Sequence, residues 1–400
     1  MNVLVLTHRL PFAPNRGDRV RAYHIVKLLA ARANVHVVSL VHDREEEAQA
    51  AALRRLGVDV STAMVPRARN LVSAAAALPT PLPLTHALLH SPAVRPALER
   101  ACARRRPDVV LAYCSGVTPF ALEPPLAGVP LVLDLVDVDS AKWAAFAADA
   151  GPLRAWIYKR EARCLSTFER FAARAAFATT VVNERERETL LRCCPDANVY
   201  VSPNGVDAEA LTPPAPPSAD ERVVFAAVFN YAPNADGAVW FARHVWPRVR
   251  AARPGARLTL AGSSPTRAVR QLAEDDLSIE VTGAVADIRP FLWRSAIAVA
   301  PIFQARGVQN KVLEAAAAGL PSVVTPAVWK GLPSEVLPAC RVADDADQFA
   351  ARIDELLAQP PAARRGARAH IAALTWPSRL EHLLQLIETA AAGAPASACA

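Results

Sequence analysis

The feature of the sequence that most limits its possible folds is an alternation of strands and helices that starts twice. Short apolar, β-branched runs alternate with helical spacing from residue 3 to residue 202, and a second series begins at residue 222. Such strands are typical of parallel sheets covered on both faces. Between the two series stands TPPAPP at residues 212–217, a stiff connector. The sequence therefore predicts an α/β protein with two doubly wound, Rossmann-like domains.

The predicted elements follow from these runs. In the first half we expect strands at residues 3–7, 34–40, 58–63, 108–112, 130–134, 177–182 and 199–202, and helices at 20–32, 45–56 and 140–176. In the second half we expect strands at residues 222–229, 257–261, 278–282, 296–300 and 321–325, and helices at 236–252, 265–273 and 308–318. We predict an N-terminal domain over residues 1–203, a C-terminal domain over 204–375, and a last helix over 376–391 that packs back on the first domain.

The charge of the chain is unevenly distributed. Residues 1–204 contain 26 Lys and Arg against 19 Asp and Glu, whereas residues 205–400 contain 19 of each, so the whole net charge of +7 lies in the first half. This asymmetry excludes a uniformly basic nucleic-acid coat and indicates that the first half meets something anionic. No nucleic-acid-binding module accompanies it, and we expect no nucleic-acid partner.

Membrane-spanning and disulfide-based folds are not expected. The longest apolar stretch, residues 71–89, is interrupted by three prolines, and the first residues lack a basic leader. The seven cysteines form no CxxC pair, which disfavours a zinc site or a disulfide framework. We therefore expect a cytoplasmic protein.

The strongest candidate site is the string GVQNKVLEAAAAGLPSVV at residues 307–324. Lys311 and Glu314 are three residues apart and share a helix face. Gly307, just before the helix, lets backbone amides approach an anion at the helix N-terminus. One turn into the helix, the Glu314 carboxylate can accept two ribose hydroxyls. A surface Glu–Lys pair would have the same KxxE spacing, but not the surrounding string.

This string resembles the donor-nucleotide signature of GT-B glycosyltransferases, in particular glycosyltransferase family 4, the group 1 sugar transferases. The segment SPNGVD at residues 202–207 is similar to the one that these enzymes carry where the N-domain passes into the linker. The glycine loop at residues 11–19 stands where family members have a loop near the donor diphosphate. The resemblance extends from Val3 to about Glu388 and implies the GT-B fold, two Rossmann-like domains facing a central cleft.

The resemblance also implies which residues bind the donor. These are Glu314, Lys311, Asn310, Val308, Gly307 and Arg306 around ribose and phosphate, Thr282 and Val285 near the base, and Gly17 near the diphosphate, where Arg16 or Arg19 could add charge. The chain departs from the family at two places. Arg306 stands where a first glutamate is usual, eight residues before Glu314, and the basic residues often found early in the C-domain are missing from residues 229–234. We expect Lys311 and Arg306 to replace them.

A second string, LVLDLVDVDSAKW at residues 131–143, carries an Asp-x-Asp motif at a strand end. Asp137 and Asp139 could hold a divalent metal, as in GT-A enzymes, or orient acceptor and sugar hydroxyls, and Asp139 or Ser140 could simply cap a helix. The nucleotide signature near residue 310 argues against the GT-A interpretation. We therefore take Asp137 and Asp139 as catalytic candidates on the acceptor side, with no metal. The DVDSAKW string is also similar to an exopolysaccharide and PEP-CTERM (exosortase)-associated subgroup.

The expected activity is that of the family. It is sugar transfer from a nucleotide-activated donor to a glycan or polyprenyl-linked acceptor, in exopolysaccharide or cell-surface polysaccharide synthesis, with no cofactor. The family's retaining transfer, in which the leaving phosphate takes the acceptor proton, tolerates the missing histidine at residues 112–115. Two alternatives stay open: a GT-B sugar-nucleotide epimerase, and a non-catalytic GT-B binding subunit.

Two Arg-rich helical segments, residues 95–106 and 153–174, suggest where the basic half meets its partner. Basic helices with interleaved aromatic residues can bind anionic lipid headgroups. A solvated basic helix face would have the same composition. We expect a peripheral protein at the inner face of the cytoplasmic membrane.

Overall fold

A computed structural model describes residues 1–12, 17–148, 150–215, 220–305 and 308–393. The chain divides into two compact units: unit 1 comprises Met1–Pro203 and Leu380–Ala400, and unit 2 comprises Asn204–Arg379. Each unit contains one parallel β-sheet with helices in its crossover connections. The predicted fold class, α/β with two Rossmann-like domains, is confirmed.

Unit 1 is built on a parallel sheet. Its described strands are β1 (Asn2–Thr7), β2 (Asn34–Val41), β3 (Asp59–Met64), β4 (Val109–Tyr113), β5 (Leu131–Val136), β6 (Ala178–Val181) and β7 (Val199–Val201). The described α-helices of unit 1 before residue 203 are α1 (Gly17–Ala30), α2 (Arg44–Ala48), α3 (Ala50–Arg54), α4 (Arg67–Ala77), α5 (Leu84–Leu89), α6 (Val94–Arg104), α7 (Thr118–Leu122), α8 (Asp139–Ala148), α9 (Pro152–Ala175) and α10 (Glu184–Cys193). The strand order is β3-β2-β1-β4-β5-β6-β7.

Unit 2 repeats this plan. Its described strands are β8 (Arg222–Ala226), β9 (Arg257–Ala261), β10 (Ile279–Val281), β11 (Ile297–Ala300), β12 (Ser322–Val324) and β13 (Cys340–Val342), in the order β10-β9-β8-β11-β12-β13. Its helices are α11 (Ala232–Trp240), α12 (Trp246–Ala252), α13 (Arg267–Asp275), α14 (Arg289–Trp293), α15 (Asn310–Ala317), α16 (Pro326–Trp329), α17 (Ala346–Leu357) and α18 (Pro361–Arg364). The last helix, α19 (Trp376–Ala391), begins in unit 2 and continues into unit 1.

The strands form because their apolar residues are buried on both faces. β4 is buried along its whole length, as the continuous run VVLAY predicts. In unit 2, Val224 and Phe225 of β8 lie in one core with Trp246 of α12 and Phe349 of α17. Among the described helices, none has a stretch long and apolar enough to cross a membrane.

Several helices differ from the sequence expectation. The helix predicted over residues 140–176 is two helices, α8 and α9, because Gly151 and Pro152 interrupt the pattern and Pro152 begins the second. The helix predicted over residues 45–56 is also two, α2 and α3. A π-helical turn, Phe241–Val245, separates α11 from α12 just before Pro247, which has no N–H to donate.

Each sheet has one point at which its strand order reverses. In unit 1 this point lies between β1 and β4, and in unit 2 it lies between β8 and β11. The connections that leave two such neighbouring strands run to opposite sides, which opens a crevice at the carboxyl ends of the strands. Ligands of doubly wound sheets bind in this crevice, so residues at the ends of β8 and β11 are the first to consider.

Candidate functional site

The first turns of α11 and α15 meet at the reversal point of unit 2. α11 follows β8 and α15 follows β11, and these two strands are parallel neighbours. The Lys311 ammonium donates a hydrogen bond of 2.7 Å to Oδ1 of Asn234. The sequence predicted Lys311 as a site residue, but nothing in it singled out Asn234.

The Lys311 ammonium is half-buried and carries a charge that no carboxylate neutralises at close range. Nζ lies over the ring of Phe225, 5.3 Å from its centroid. Burial lowers the pKa of Lys311 to about 7, and the charge of Glu314 partly opposes this shift. In the described part of the chain, Lys311 forms no ion pair with a carboxylate. A cation in such a position is suited to an anionic ligand.

Glu314 lies one turn further along α15 and is also half-buried. Burial raises the pKa of its carboxyl to about 7, and the charge of Lys311 opposes this shift. Across the described ranges, the side chain of Glu314 has no hydrogen bond or ion pair. Its oxygens are therefore free to accept hydrogen bonds from the hydroxyls of a ligand.

Asn310, at the start of α15, is bound to the segment at residues 202–207. Asn204 Nδ2 donates to Oδ1 of Asn310 at 2.8 Å. The next residue, Gly205, packs so closely against Trp376 that a Cβ atom would lie 2.6 Å from the Trp376 backbone nitrogen. Val206 N donates to the carbonyl of Leu374 at 2.8 Å. The glycine of this segment is therefore required for a close backbone approach.

Thr282 ties the loop after β10 to the loop after β9, and Gly262 in the latter packs against the residue that follows β8. Its hydroxyl accepts a hydrogen bond of 3.1 Å from Gly262 N and donates one of 2.8 Å to the carbonyl of Gly283. Gly262 has a φ of 146°, and a Cβ atom there would lie 1.8 Å from the carbonyl oxygen of Ala227. The Thr282 hydroxyl is thus used within the protein, and the half-buried Val285 follows in the same loop.

The remaining predicted donor residues are less informative. Val308 is half-buried and stands just ahead of α15, whereas Arg306, Gly307 and Arg16 lie outside the described residues. Gly17 is the first residue of α1. Arg19, one of the two arginines that could add charge near the diphosphate, pairs with the buried Glu46 at 3.1 Å.

In unit 1, the two aspartates of the Asp-x-Asp motif have different surroundings. Asp139, the first residue of α8, accepts a hydrogen bond of 2.7 Å from the Ser115 hydroxyl. Asp137 has no side-chain hydrogen bond within the described ranges. Burial, and then the charge of Glu186, raises the pKa of Asp137 to about 6. Among the described residues, no three His, Cys, Asp or Glu side chains come together as a metal site would need.

The backbone beside Asp137 is strained. Val136 has a φ of 67° and Cys114 has a φ of 69°, a region that non-glycine residues rarely adopt and β-branched residues least of all. Cys114 directly follows β4, and Val136 is the last residue of β5, where the pairing of β5 with β6 shifts its register. Such strain is typical of functional edges, because the surrounding structure must hold it in place.

Two buried glutamates that no sequence motif singles out, Glu186 and Glu169, hold the segment after β5. Val138 N donates to Oε2 of Glu186 at 2.9 Å, and Ser140 N donates to Oε1 of Glu169 at 3.0 Å. Burial raises the pKa of Glu169 to about 8. Glu169 follows Leu165 by four residues and precedes Ala173 by four on the buried face of α9, and this helical spacing could have revealed it.

A buried ion pair forms the polar centre of unit 1. The guanidinium of Arg21 binds both oxygens of Asp134, at 2.8 and 3.2 Å, and both side chains are almost fully buried. Arg21 also donates to the Ser202 hydroxyl at 3.1 Å and to the Pro203 carbonyl at 3.2 Å. Thr180 donates to Asp134 at 3.0 Å. The pair therefore links α1, β5, β6 and the end of unit 1.

The Arg-rich helix α9 is only partly a surface helix. Arg160 is buried and donates hydrogen bonds of 2.7 Å to the carbonyls of Ala77 and Leu82. Neighbouring Glu161 is also buried and accepts a bond of 2.7 Å from Leu84 N. These two charges attach the first half of α9 to the end of α4 and the start of α5. Arg160 is therefore not part of the basic surface predicted at residues 153–174, because its side chain is buried.

Comparisons with known proteins agree on the family. The family model described as "Glycosyl transferase 4-like domain" matches residues 16–205, and the one described as "Glycosyl transferases group 1" matches residues 220–359. Among curated proteins, no sequence matches this chain.

Solved structures share the fold over nearly the whole chain. HepE of Anabaena in complex with UDP has a TM-score of 0.66 at 14% identity, with 97% of this chain and 100% of that chain covered. TarM of S. aureus has a TM-score of 0.69 at 11% identity, with 96% and 98% covered. An α,α-trehalose-phosphate synthase (UDP-forming) from Burkholderia vietnamiensis has a TM-score of 0.66 at 13% identity, with 97% and 100% covered.

Proposed function

Because the chain belongs to the group 1 glycosyltransferases, which have the GT-B fold, we propose that it transfers a sugar from a nucleotide-activated donor to a glycan acceptor carried on a polyprenyl lipid. The reaction would serve exopolysaccharide or cell-surface polysaccharide synthesis. Anabaena HepE has been solved with UDP and with UDP-glucose, which makes a uridine nucleotide the first donor to try.

One observation carries the donor assignment. At the reversal point of the unit 2 sheet, an ammonium without a close carboxylate and a carboxylate without a hydrogen bond stand one helical turn apart on α15, as far as the described residues extend. Lys311 supplies positive charge for the diphosphate, and Glu314 supplies acceptors for the two ribose hydroxyls. The base lies along the loop that contains Thr282 and Val285.

We assign the acceptor and the reacting sugar to the end of β5 in unit 1. Asp139 is already bound by Ser115, so Asp137 is the carboxylate available to a sugar hydroxyl. The transfer retains the anomeric configuration: the acceptor attacks from the face that the phosphate leaves, and the phosphate takes its proton. We propose neither a metal nor a cofactor, so transfer should survive EDTA.

Sugar transfer is tested with the full chain, a panel of UDP-, GDP- and ADP-sugars, and a polyprenyl-diphosphate-linked glycan. Release of nucleoside diphosphate that requires the acceptor supports transfer. A free, altered sugar nucleotide would identify an epimerase, and binding without turnover would identify a binding subunit. Glu314→Ala should weaken nucleotide-sugar binding by about 1–3 kcal/mol, the range for hydrogen bonds to a charged group. Glu274→Ala, at an exposed position of α13, is the matched control.

We further propose that unit 1 docks on an anionic bilayer through exposed apolar residues of α4 and of the start of α9. On α4, Leu71 and Val72 are 65% and 72% exposed, and on α9 Leu153 and Trp156 are 73% and 53% exposed. The hydrogen bonds of Arg160 attach the two helices to each other. Residues 60–98 contain no Asp or Glu but three Arg, of which Arg95 pairs with Glu123 at 3.7 Å and the other two, Arg67 and Arg69, are exposed on α4. Apolar side chains beside exposed arginines suit the interface of an anionic membrane.

Vesicle sedimentation tests this surface. The protein should sediment with vesicles of phosphatidylcholine and phosphatidylglycerol, and much less with phosphatidylcholine alone. Leu71→Glu combined with Val72→Glu should abolish sedimentation. Leu277→Glu, which changes the 89% exposed Leu277 in unit 2, should have no effect. Equal sedimentation with both kinds of vesicle would contradict docking on an anionic bilayer, and no sedimentation with either would contradict the proposed peripheral location at the inner face of the cytoplasmic membrane.

A further inference from the structure

Two hydrogen bonds hold the Asn234 side chain in one orientation, and a close backbone contact holds its helix. It lies in the first turn of α11 and is 7% exposed. Its Nδ2 donates to the carbonyl of Val228 at 2.9 Å, and its Oδ1 accepts from Lys311 at 2.7 Å. One turn later, a Cβ atom at Gly237 would lie 2.2 Å from the Pro301 carbonyl oxygen, so α11 packs directly against the end of β11. Neither the side chain nor its helix is free to shift.

The two hydrogen-bond partners also determine which end of the amide faces the lysine. A carbonyl such as that of Val228 can only accept, and an ammonium can only donate. The amide nitrogen must therefore face Val228 and the amide oxygen must face Lys311. Asn234 thus offers Lys311 a neutral acceptor, which fixes the position of Nζ without neutralising its charge.

We propose that Asn234 is a positioning residue of the donor site, whose amide oxygen holds the Lys311 ammonium where the donor diphosphate binds. This inference rests on the proposed function and deepens it. Asn234 lies within the segment of residues 229–234 where the basic residues expected of the family are missing. Lys311 reaches this place from α15 instead, and the flexible lysine side chain needs a fixed partner to keep its charge there.

The proposal predicts that Asn234 acts only on the phosphate end of the ligand, and only through Lys311. The affinities of UDP, GDP and ADP and of the matching monophosphates are measured by calorimetry with the full chain. Asn234→Ala should weaken the diphosphate about tenfold while changing the monophosphate much less. Asn234→Asp keeps an oxygen toward Lys311 but neutralises its charge, so it should weaken the diphosphate more than Asn234→Ala. Asn198→Ala, at an exposed asparagine in unit 1, is the matched control.

A double-mutant cycle separates positioning from a merely structural role. In a Lys311→Met background, Asn234→Ala should cause no further loss of diphosphate affinity. Equal losses for diphosphate and monophosphate, or additive losses in the double variant, would overturn the proposal. If the wild-type chain binds none of the three diphosphates, the proposed function itself fails. If the wild type binds one and Asn234→Asp binds it equally well, only the role of Asn234 fails.

Discussion

Replacing Arg21 by methionine should destabilise unit 1 strongly. The substitution removes two hydrogen bonds to Asp134 and those to Ser202 and Pro203, and it leaves a buried carboxylate whose remaining side-chain partner in the described residues is Thr180. Breaking a buried ion pair at one partner costs about 3–5 kcal/mol, because the other charge stays buried without compensation. This loss exceeds a third of the free energy of unfolding of many domains.

The measurement is urea unfolding followed by circular dichroism, with hydrogen exchange to locate the loss. Arg32→Met is the matched control in the same unit, because Arg32 pairs with Glu381 and Glu388 at the surface. Exposed pairs contribute about 0–1 kcal/mol. Arg21→Lys should fall between the two, since lysine keeps the charge but lacks the planar fork. An Arg21→Met variant that unfolds at the same urea concentration as Arg32→Met would refute the reasoning.

Three further predictions concern single contacts. The stability of Glu169→Gln relative to the wild type should rise by at least about 1 kcal/mol between pH 5 and pH 8, because burial raises the pKa of Glu169 to about 8 in the folded protein and the wild type therefore loses stability as the unfolded chain gives up this proton. A difference in urea midpoint between variant and wild type that is the same at both pH values would contradict this. Gly205→Ala should lower the free energy of unfolding by about 1–3 kcal/mol, since its Cβ meets the Trp376 backbone, and an unchanged thermal midpoint would exclude the contact. Because burial lowers the pKa of Lys311 to about 7, diphosphate affinity should fall between pH 7 and 9 in the wild type and in Lys330→Met, as calorimetry would detect, and this fall should be absent in Lys311→Met.

Sequence patterns predicted the strands of the two sheets far better than the helices that connect them. Buried parallel strands such as β4 appear as continuous apolar runs, so their positions follow from the local sequence alone. The sequence did not predict α4. Only two of its eleven residues, Asn70 and Ala77, are buried, and a helix so exposed has no apolar stripe that would indicate it. The break between α8 and α9 was present as Gly151–Pro152, but the helical spacing on both sides concealed it.

The sequence could predict site residues that are close together along the chain, but not contacts between residues that are far apart in it. Lys311 and Glu314 belong to one helix, so their spacing and a family string were enough to select them. Asn234 precedes Lys311 by 77 residues, and the two meet only because β8 and β11 are neighbours in the sheet. Glu169 and Glu186 are similar cases: each binds a backbone nitrogen of the segment after β5, a contact that depends on tertiary packing.

The course of α19 determines the order in which the two units can be completed during synthesis. Residues from Leu380 onward belong to unit 1, although they leave the ribosome after all of unit 2. In unit 1 they supply Glu381 to Arg32 and place His382 against Tyr200, with ring centroids 5.2 Å apart. Unit 2 can therefore reach its full set of contacts while unit 1 still lacks its last helix. A nascent or truncated chain would expose the surface that α19 covers, so unit 1 is the part of the protein that most depends on complete translation.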